Sequence, residues 1–374
     1  MPEFFASCPK GLVEVLDSEL KELGIKTGDK APAGVSFEGS WEDCYRVNLC
    51  SRIASRVLKP VHEFVAYQPE ELYQQVLRHD FTKYIRPEQT LAVDASVKES
   101  KLRDQRFVAM KIKDAVVDQF RDKFGVRPSV DSRFPDLQIN ARVYKNRFIL
   151  SLDTSGDPLF MRGYRKEAVE APLKENLAAG LLRLAGWDKK SPLVDPMCGS
   201  GTILIEAAMM ALNIAPGSSR KSFGFQRWNN YDPQAWDRVV QKALEAEVKD
   251  LDFRLFGYDI DRKAVMMARR NAQEAGVDHV IQFSRETVSV LKPPVEKGII
   301  VTNPPYAVRI GDEDNVRDVY RDFSHTLKHH FKGWEAWILS GNKDLIADLK
   351  LKSTRKIFVY NGALECRFLQ YKMF

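Results

Sequence analysis

The sequence predicts an α/β fold in which a doubly wound, largely parallel sheet follows a smaller α+β region. The first observation is a regular alternation of apolar strand segments and helices from about residue 173 to the C-terminus. Such alternation is typical of parallel sheets with helices on both faces. The second observation is a less regular series of short strands and helices before residue 155. The third is a junction rich in proline and glycine at residues 156–172.

The composition favours a soluble globular protein of two or three domains. Of the 374 residues, 44% are hydrophobic and 29% are charged, which excludes a bulk-disordered chain. No run approaches the roughly 20 apolar residues that a membrane helix needs. The first residues, MPEFFASCPKGLVEVL, lack a basic segment followed by an apolar stretch. We therefore expect a cytoplasmic protein without a membrane partner.

Neither disulfides nor a metal site is expected. The five cysteines are scattered and form no C-x-x-C pair, so reduced thiols are predicted. Three histidines lie at helical spacing in SHTLKHHF, at His325, His329 and His330. No acidic ligand or H-E-x-x-H pattern accompanies them, which argues against metal binding.

Residues 1–64 predict a first α+β module. Its predicted elements are the strand EFFASC, a helix with four leucines on one face that ends at Gly24, the strand GVSFEG, a helix capped by Ser40 and the strand RVLKPVHEFVAY. These assignments follow from apolar periodicity, from a capping serine and from a glycine helix stop.

Residues 65–155 predict a second α+β module. Its predicted elements are a helix over 69–77, the strand TLAVDASV, a helix over 105–124 and a hairpin of LQINARVY and RFILSLDT. The two hairpin segments flank Lys145 and Asn146, which suit a tight turn.

Positive charge is concentrated in this second module. The chain carries a net charge of +6, and residues 98–147 hold 13 lysines and arginines against 7 acidic residues. Charge clusters are often simply the solvated faces of helices. The alternative is a surface that contacts phosphates, and the basic candidates for it are Lys98, Lys101, Arg103, Arg106, Lys111 and Lys113.

The C-terminal region, residues 173–374, predicts the parallel sheet. Its predicted elements are a helix over 173–186, the strand PLVDP, a helix over 201–212, the strand FRLFGYDI, a helix over 262–275, strands near 280–284 and 298–303, a helix over 315–331, the strand WEAWILS, a helix near 343–350 and two terminal β segments. A long aromatic and basic loop at residues 213–233 interrupts the series. In such a sheet the ligand site lies at the carboxyl ends of the strands.

A glycine-rich turn in LVDPMCGSGTILIEAA is the strongest indication of a ligand site. An apolar strand ends at Asp195, and the turn leads directly into a helix. Glycines permit close backbone approach to a ligand, and a helix N-terminus offers free N–H groups. Leu204 stands where a dinucleotide motif needs glycine, and no P-loop lysine follows. The candidate residues of this turn are Asp195, Pro196, Cys198, Gly199, Ser200, Gly201 and Thr202.

A second acidic residue, Asp259, ends the next predicted strand in FGYDID. A carboxylate at this position can accept hydrogen bonds from the hydroxyls of a ribose. Ile260 follows it and belongs to the same candidate site. Asp261 can instead cap the helix that begins with Arg262.

The third element is the segment GIIVTNPPYAVRIGDE, in which Asn303, Pro304, Pro305 and Tyr306 follow an apolar strand. The prolines fix the backbone and lack N–H donors, which leaves carbonyl acceptors at the strand exit. An asparagine oxygen and a proline carbonyl can hold the two protons of a planar amine, and Tyr306 can stack on the ring that carries the amine.

Together these three elements resemble the class I S-adenosylmethionine-dependent methyltransferases, over about residues 165–374. The resemblance implies a Rossmann-like domain and S-adenosylmethionine as the cofactor. It also implies that the glycine turn holds the methionine part, that Asp259 holds the ribose and that the NPPY segment holds the target amine. One position departs from the family pattern: the chain reads FSRETVSV, so that Glu286 or Thr287 stands where many relatives have an aspartate that contacts the adenine.

The N-terminal half narrows the substrate. Residues 1–64 resemble the ferredoxin-like module, and residues 65–155 the THUMP domain, that precede the catalytic domain in RNA methyltransferases. That resemblance implies an RNA partner, and Arg162 and Arg165 are added to the RNA-binding candidates, with solvated loop charge as their alternative.

Longer segments, such as FASCPKGLVEVLDSELKELG and YNGALECRFLQY, resemble bacterial 23S ribosomal RNA guanine-N2 methyltransferases. Some of these carry a fused second methyltransferase, and the sequence predicts that this protein lacks it. The expected reaction is methylation of guanine N2 in 23S rRNA. Methylation of a tRNA guanine, an adenine N6 or a protein glutamine remains an alternative, as does a non-catalytic RNA-binding role.

Overall fold

Two β-sheets organise the chain in the computed structural model, which describes residues 2–165, 173–305 and 313–374. The first sheet lies within residues 2–165, and the second lies in the two later segments. Helices pack against both sheets, so the α+β region and the doubly wound α/β domain that the sequence predicts are both present.

The first sheet joins the two predicted N-terminal modules. Its elements are β1 (Glu3–Ser7), α1 (Val13–Glu22), β2 (Lys26–Ala31), β3 (Gly34–Glu38), α2 (Trp41–Cys50), β4 (Arg56–Val65), α3 (Pro69–Leu77), β5 (Thr90–Lys98), α4 (Gln105–Phe124), β6 (Ser129–Val130), β7 (Leu137–Tyr144) and β8 (Arg147–Asp153). The strand order is β2-β3-β1-β4-β8-β7-β5-β6. Because β4 pairs with both β1 and β8, hydrogen bonds run without interruption from one module into the other.

The hairpin between β7 and β8 has the predicted tight turn. Lys145 and Asn146 both have positive φ, 50° and 65°. Two such residues form a turn whose twist matches that of the flanking antiparallel strands. The register runs from Tyr144 opposite Arg147 to Ile139 opposite Leu152.

The second sheet carries the predicted parallel core. Its elements are α5 (Glu175–Leu184), β9 (Leu193–Asp195), α6 (Thr202–Ala211), α7 (Pro233–Glu245), β10 (Leu255–Asp259), α8 (Arg262–Glu274), β11 (Ile281–Arg285), β12 (Ile299–Thr302), α9 (Glu313–His330), β13 (Glu335–Ser340), α10 (Lys343–Asp348), β14 (Arg355–Asn361) and β15 (Leu364–Lys372). The strand order is β11-β10-β9-β12-β13-β15-β14. The first five strands are parallel, and β15 runs antiparallel to β13.

The strand order reverses between β9 and β12. From β9 the chain moves outward to β10 and β11, and it then returns to place β12 on the other side of β9. Such a reversal opens a crevice at the carboxyl ends of the two central strands, where ligands of doubly wound folds bind. The glycine turn after β9 and the NPPY segment after β12 both begin at this crevice.

The N-terminal module packs tightly on the α/β domain. Leu12 fills the space beside Gly180 of α5, where an added Cβ would lie 2.5 Å from a leucine methyl. The guanidinium of Arg183 donates two hydrogen bonds of 2.8 Å to the carboxylate of Glu22. Helix α6, TILIEAAMMA, is apolar around most of its circumference and is buried along nearly its whole length. The two parts of the chain therefore share one packed interior.

Candidate active site

Three sequence-predicted residues meet at the crevice. Asp195 ends β9, Asp259 ends β10 and Asn303 follows β12. The backbone N–H of Gly199 donates to Asp259 Oδ2 at 2.9 Å, which ties the glycine turn to β10. The hydroxyl of Thr302 donates to Asp195 Oδ1 at 2.7 Å, which ties β12 to β9. The candidate loops are thus held together by hydrogen bonds between strand ends.

Thr302 was missed by the sequence analysis. It is fully buried and stands directly before Asn303, so its side chain fixes the start of the NPPY segment. In the sequence GIIVTNPPY, the available signal was the threonine at the end of the apolar strand.

Both glycines of the turn adopt left-handed backbone conformations. Gly199 has φ 52° and Gly201 has φ 82°. A Cβ at Gly201 would lie 3.1 Å from Ala268 and 3.1 Å from the Phe283 ring, so this glycine permits close packing of α6 on α8 and β11. A Cβ at Gly199 would meet no atom of the described residues within 4 Å. Gly199 therefore faces open space at the start of α6, where free backbone N–H groups point.

The other side chains of the turn are buried. Cys198, Ser200 and Thr202 are each less than 9% exposed, and Pro196 is buried as well. Asn271 of α8 donates to the Ser200 carbonyl at 3.1 Å, a supporting contact that the sequence analysis also missed. Because these side chains are buried, a ligand at this crevice would contact chiefly the backbone atoms of the turn.

The carboxylate of Asp259 is fixed by two backbone donors. Its Oδ2 accepts from Gly199 and its Oδ1 accepts from Asp261 N–H at 2.9 Å. Each carboxylate oxygen has a second acceptor position, so two hydroxyl donors can still be accepted. Asp261 is the N-cap of α8, because its side chain accepts from Lys263 N–H. The neighbouring Ile260 is 64% exposed and offers an apolar surface beside Asp259.

Burial makes the acidic groups of the site weaker acids than usual. Burial raises the pKa of Asp195 to about 7, against the opposing hydrogen bonds from Thr302 and Met197, and the charge of Asp259 adds to the rise. Burial also raises the pKa of Asp259, and it raises that of the Cys198 thiol well above its ordinary value. Two carboxyls that resist ionisation beside each other favour a cationic ligand. The Cys198 thiol stays protonated, which argues against a nucleophilic role.

Asn303 provides an acceptor that no described residue uses. Its side-chain Oδ1 is buried and has no hydrogen-bond partner in the part of the chain that the structure describes. Leaving such an atom unpaired is costly, so a donor on a ligand would stabilise it. Pro304 is buried and Pro305 is exposed. The predicted stacking residue, Tyr306, lies outside the described residues.

Glu286 and Thr287 directly follow β11, the strand that pairs with β10. The backbone N–H of Glu286 donates to the Asp259 carbonyl at 3.1 Å, and the Glu286 side chain is exposed. Thr287 is half-buried, with its hydroxyl 3.3 Å from that of Ser289. That one of these two residues contacts the adenine stays a prediction.

Four RNA-binding candidates lie together at one edge of the first sheet. Lys98, Lys101, Arg103 and Arg106 are exposed and lie between the end of β5 and the first turn of α4. The hairpin tip holds this segment, because Lys101 N–H donates to Asn146 Oδ1 at 2.7 Å. We call this group of four residues the basic edge.

Lys111 and Lys113 lie further along α4 and are partly covered. The Lys111 ammonium lies 4.8 Å from the centre of the Tyr73 ring, and Lys113 forms an ion pair of 2.5 Å with Asp114. Both residues are also half-buried, whereas the four residues of the basic edge are exposed, although the Lys101 ammonium itself lies 5.1 Å from the centre of the Tyr67 ring.

The prediction that Arg162 and Arg165 contact RNA is wrong, because both side chains turn inward. Arg162 is 1% exposed and pairs with the buried Glu206 of α6 at 3.3 Å. The Arg165 side chain is 13% exposed, pairs with Glu175 and donates to the Thr202 hydroxyl at 2.8 Å. Both arginines instead join the segment before α5 to helix α6. A basic residue in a loop looks the same in sequence whether it pairs inside or outside the protein.

Within 2–165, 173–305 and 313–374, no group of three or more histidine, cysteine, aspartate or glutamate side chains could hold a metal ion. In these same segments no helix combines the length and the apolar character that crossing a membrane requires.

The strand order, the glycine turn and the acidic end of β10 define a class I methyltransferase domain. A model of the RMKL-like methyltransferase domain matches residues 162–370, a model of the RlmL ferredoxin-like domain matches residues 3–58 and a THUMP domain model matches residues 66–153. The chain therefore belongs to the RMKL-like methyltransferases, with the ferredoxin-like and THUMP domains that the sequence resembles.

Individual relatives agree with this assignment. The ribosomal RNA large subunit methyltransferase K/L of Syntrophotalea carbinolica is 43% identical over 99% of this chain and 53% of its own length. This chain thus spans about half the length of the K/L relatives that it matches. A putative RNA methyltransferase of Synechocystis is 40% identical over 99% of this chain and 97% of its own. The structure of SMU.472, a putative methyltransferase complexed with SAH, superposes with a TM-score of 0.90 at 32% identity, covering 100% of this chain and 98% of that one.

Proposed function

We propose that this protein transfers a methyl group from S-adenosylmethionine to the exocyclic N2 amine of a guanine in 23S ribosomal RNA. The observation that carries the proposal is the buried, unpartnered Oδ1 of Asn303 at the crevice where the glycine turn and Asp259 also end. The names of the K/L relatives support ribosomal RNA as the substrate.

The residues at the crevice fit the cofactor. Gly199 faces open space beside free N–H groups of α6, which suits the methionine carboxylate. Asp259 retains acceptor positions for ribose hydroxyls, and the exposed Ile260 suits one face of the adenine. When bound, S-adenosylmethionine supplies an electrophilic methyl group on a sulfonium. The buried carboxyl groups of Asp195 and Asp259 suit its positive charge.

The target amine is held by acceptors. Asn303 Oδ1 and the Pro304 carbonyl accept the two amine protons and turn the nitrogen lone pair toward the methyl group. The bound cofactor would supply the methyl group to the amine nitrogen and leave as S-adenosylhomocysteine, and the proton that the nitrogen loses would pass to solvent. Because the amine is a weak nucleophile, placement in line with the methyl group supplies most of the acceleration. Tyr306 stacks on a guanine that has been extruded from its helix.

The RNA is anchored away from the reacting base. The basic edge, Lys98, Lys101, Arg103 and Arg106, contacts phosphates and reads shape more than sequence. The same chain therefore combines an anchor for the RNA backbone with a separate crevice for the reacting base.

A methyl-transfer assay tests the proposal. Labelled S-adenosylmethionine is incubated with unmodified 23S rRNA, tRNA and duplex DNA, and the digested nucleosides are analysed by mass. We expect N2-methylguanosine in the 23S sample alone. N6-methyladenosine, or label only in tRNA or DNA, would overturn the substrate assignment and keep the methyltransferase.

An Asn303→Ala variant tests the proposed amine acceptor. Turnover should fall at least 100-fold while cofactor affinity, measured by calorimetry, stays within about twofold. Equal loss of turnover and cofactor affinity would show that Asn303 has only a structural role.

A further inference from the structure

A second cavity lies between the N-terminal module and the α/β domain. Its volume is about 330 Å³, within the lower range of small-molecule sites. Its walls come from α1 and α2 on one side and from α5, α7 and the end of α6 on the other. The glycine turn begins α6 and the cavity lies at its other end, so about 15 Å of helix separates the two sites.

The cavity contains a buried guanidinium with an unused donor. Arg52 is 8% exposed, and its Nη2 donates to the carbonyls of Met209 and Ile214, at the C-terminal end of α6. Its Nη1 is buried and has no hydrogen-bond partner among the described residues. Such an atom is costly to leave unpaired, so it marks a place for an acceptor.

Two more arginines that line the cavity also have a buried donor nitrogen without a hydrogen-bond partner among the described residues. Arg183 uses its terminal nitrogens on Glu22, and its buried Nε has no partner in the described structure. Arg46 pairs with Asp43 through Nη2, and its Nε is likewise buried and unpartnered. Three lining side chains, from α2, α5 and the segment after α2, thus each carry a buried donor that has no partner among the described residues.

The charge of the lining also favours an anion. Five cationic side chains line the cavity against three glutamates: Arg46, Arg52, Arg183, Lys189, Lys242, Glu19, Glu22 and Glu42. Glu19 is already engaged, since it accepts from the Ser51 hydroxyl and from the N–H groups of Arg52 and Ile53. Burial lowers the pKa of Arg52 to about 10, so the two nearby glutamates, Glu206 and Glu19, do not fully offset its burial.

The cavity has an open rim and an apolar wall. Lys242, 72% exposed in its side chain, and Glu22, 52% exposed, lie at the rim, whereas Arg52 lies at the buried end. Met210 and Val239 contribute buried apolar surface to the lining. A ligand could therefore enter from solvent, place an anionic group toward Arg52 and rest an organic part on the apolar wall.

We propose that this cavity is a second ligand site, which binds a small organic phosphate across the junction of the two parts of the chain. The Nη1 of Arg52 and the other cationic side chains of the lining offer donors from several directions, which suits a phosphate group, because its three peripheral oxygens are strong acceptors of charge-assisted hydrogen bonds. The phosphate belongs either to a free metabolite or to an RNA terminus.

Calorimetric titration of the full chain with inorganic phosphate, against chloride at constant ionic strength, tests the site. We expect saturable binding that weakens at least tenfold in Arg183→Gln and in Ala243→Trp, which fills the cavity. Arg254→Gln is the matched control, because Arg254 is a partly exposed arginine outside the lining. Absence of saturable binding to the wild type, or equal weakening in the control, would overturn the proposal. Thermal melting checks folding, and Arg183→Gln keeps the test decisive if Ala243→Trp fails to fold.

Competition then identifies the source of the phosphate. Ribose 5-phosphate that binds at least tenfold more tightly than inorganic phosphate, without displacement by a 23S rRNA fragment, supports a free metabolite. Displacement of phosphate by a 5′-phosphorylated fragment, and not by the same fragment without its phosphate, supports an RNA terminus.

Discussion

At Asp195, burial opposes ionisation at the point where the proposed cofactor brings a positive charge. The pKa of this carboxyl rises from 3.8 to about 7 in the folded chain. Between these values the folded protein keeps the proton that the unfolded chain has lost, so the unfolded chain binds fewer protons. The stability contributed by this group is therefore complete below about pH 4 and is lost progressively as the pH rises to about 7.

The affinity for S-adenosylmethionine should consequently depend on pH through Asp195. A bound sulfonium favours the carboxylate, so binding releases a proton and the affinity increases from about pH 6 to pH 8. Asp195→Asn should bind more weakly and lose most of that increase. Calorimetry in buffers of different ionisation enthalpy measures the released protons. An unchanged pH profile in Asp195→Asn would assign the proton to another group, such as Asp259.

Gly199 can be tested against a glycine with the same backbone requirement. Gly199 and Gly276 have φ values of 52° and 70°, and at either position an added Cβ meets no atom within 4 Å in the part of the chain that the structure describes. Alanine at each should cost about 1–2 kcal/mol of unfolding free energy, from the left-handed conformation alone. Only Gly199→Ala should also weaken cofactor binding, by at least tenfold, because its Cβ points into the proposed cofactor space. Urea unfolding and cofactor titration measure the two effects, and equal affinity in both variants would contradict the placement.

At the scale of elements, the parts predicted well are those whose signals are local. The glycine turn between β9 and α6 and the hairpin at Lys145 and Asn146 each require particular residues at particular positions, and the structure has both. Helix α7 was not predicted, although Asp232 caps it and Pro233 is its first residue. Residues 213–233 were interpreted as one long aromatic and basic loop, and the helix that follows was not assigned. Strand β2, KTGDKA, has no apolar alternation, and only its pairing with β3 makes it a strand.

The candidate site was likewise predictable only where its residues follow from local sequence patterns. Residues at strand ends, Asp195, Asp259 and Asn303, could be identified because parallel strands bring their carboxyl ends to one edge. The hydrogen bond from Thr302 to Asp195 joins residues 107 positions apart, and the inward turn of Arg162 depends on Glu206 of a different element. Contacts of that range depend on tertiary packing, which no local pattern encodes.

The Arg162–Glu206 pair should act as a link between the segment before α5 and helix α6. Arg162→Met leaves the buried Glu206 unpaired, so it should destabilise the protein by about 3–5 kcal/mol. Tyr164 also donates to Glu206, at 3.2 Å, and would retain part of the contact. Urea unfolding measures the loss, and the double variant Arg162→Met with Glu206→Leu should recover much of it. Weaker RNA binding by Arg162→Met without loss of stability would restore the RNA-binding interpretation of Arg162.

At the scale of the whole molecule, the loop at residues 213–233 connects the THUMP domain with the methyltransferase domain. The Trp228 indole donates to the Asp136 carbonyl at 3.0 Å, and Asn229 N–H donates to the Tyr84 carbonyl at 2.8 Å. Tyr45 of α2 stacks on Phe225 of the same loop, with ring centres 4.3 Å apart. These contacts hold the basic edge and the crevice in a fixed relation, so an RNA bound at one would be presented to the other at a set distance.

The salt dependence of RNA binding tests that arrangement. Glutamine at Lys98, Lys101, Arg103 and Arg106 together should remove up to four phosphate contacts, and each contact contributes about 0.7–0.9 to the slope of log affinity against log salt. The slope should therefore fall by about 3, and cofactor affinity should not change, because the basic edge lies in the first sheet. Lys113→Gln with Arg121→Gln is the control on α4; it removes two charges that acidic neighbours already pair. Filter binding of unmodified 23S rRNA across a salt series measures the slopes, and an equal change per removed charge in the control would mean that overall charge, and not the basic edge, anchors the RNA.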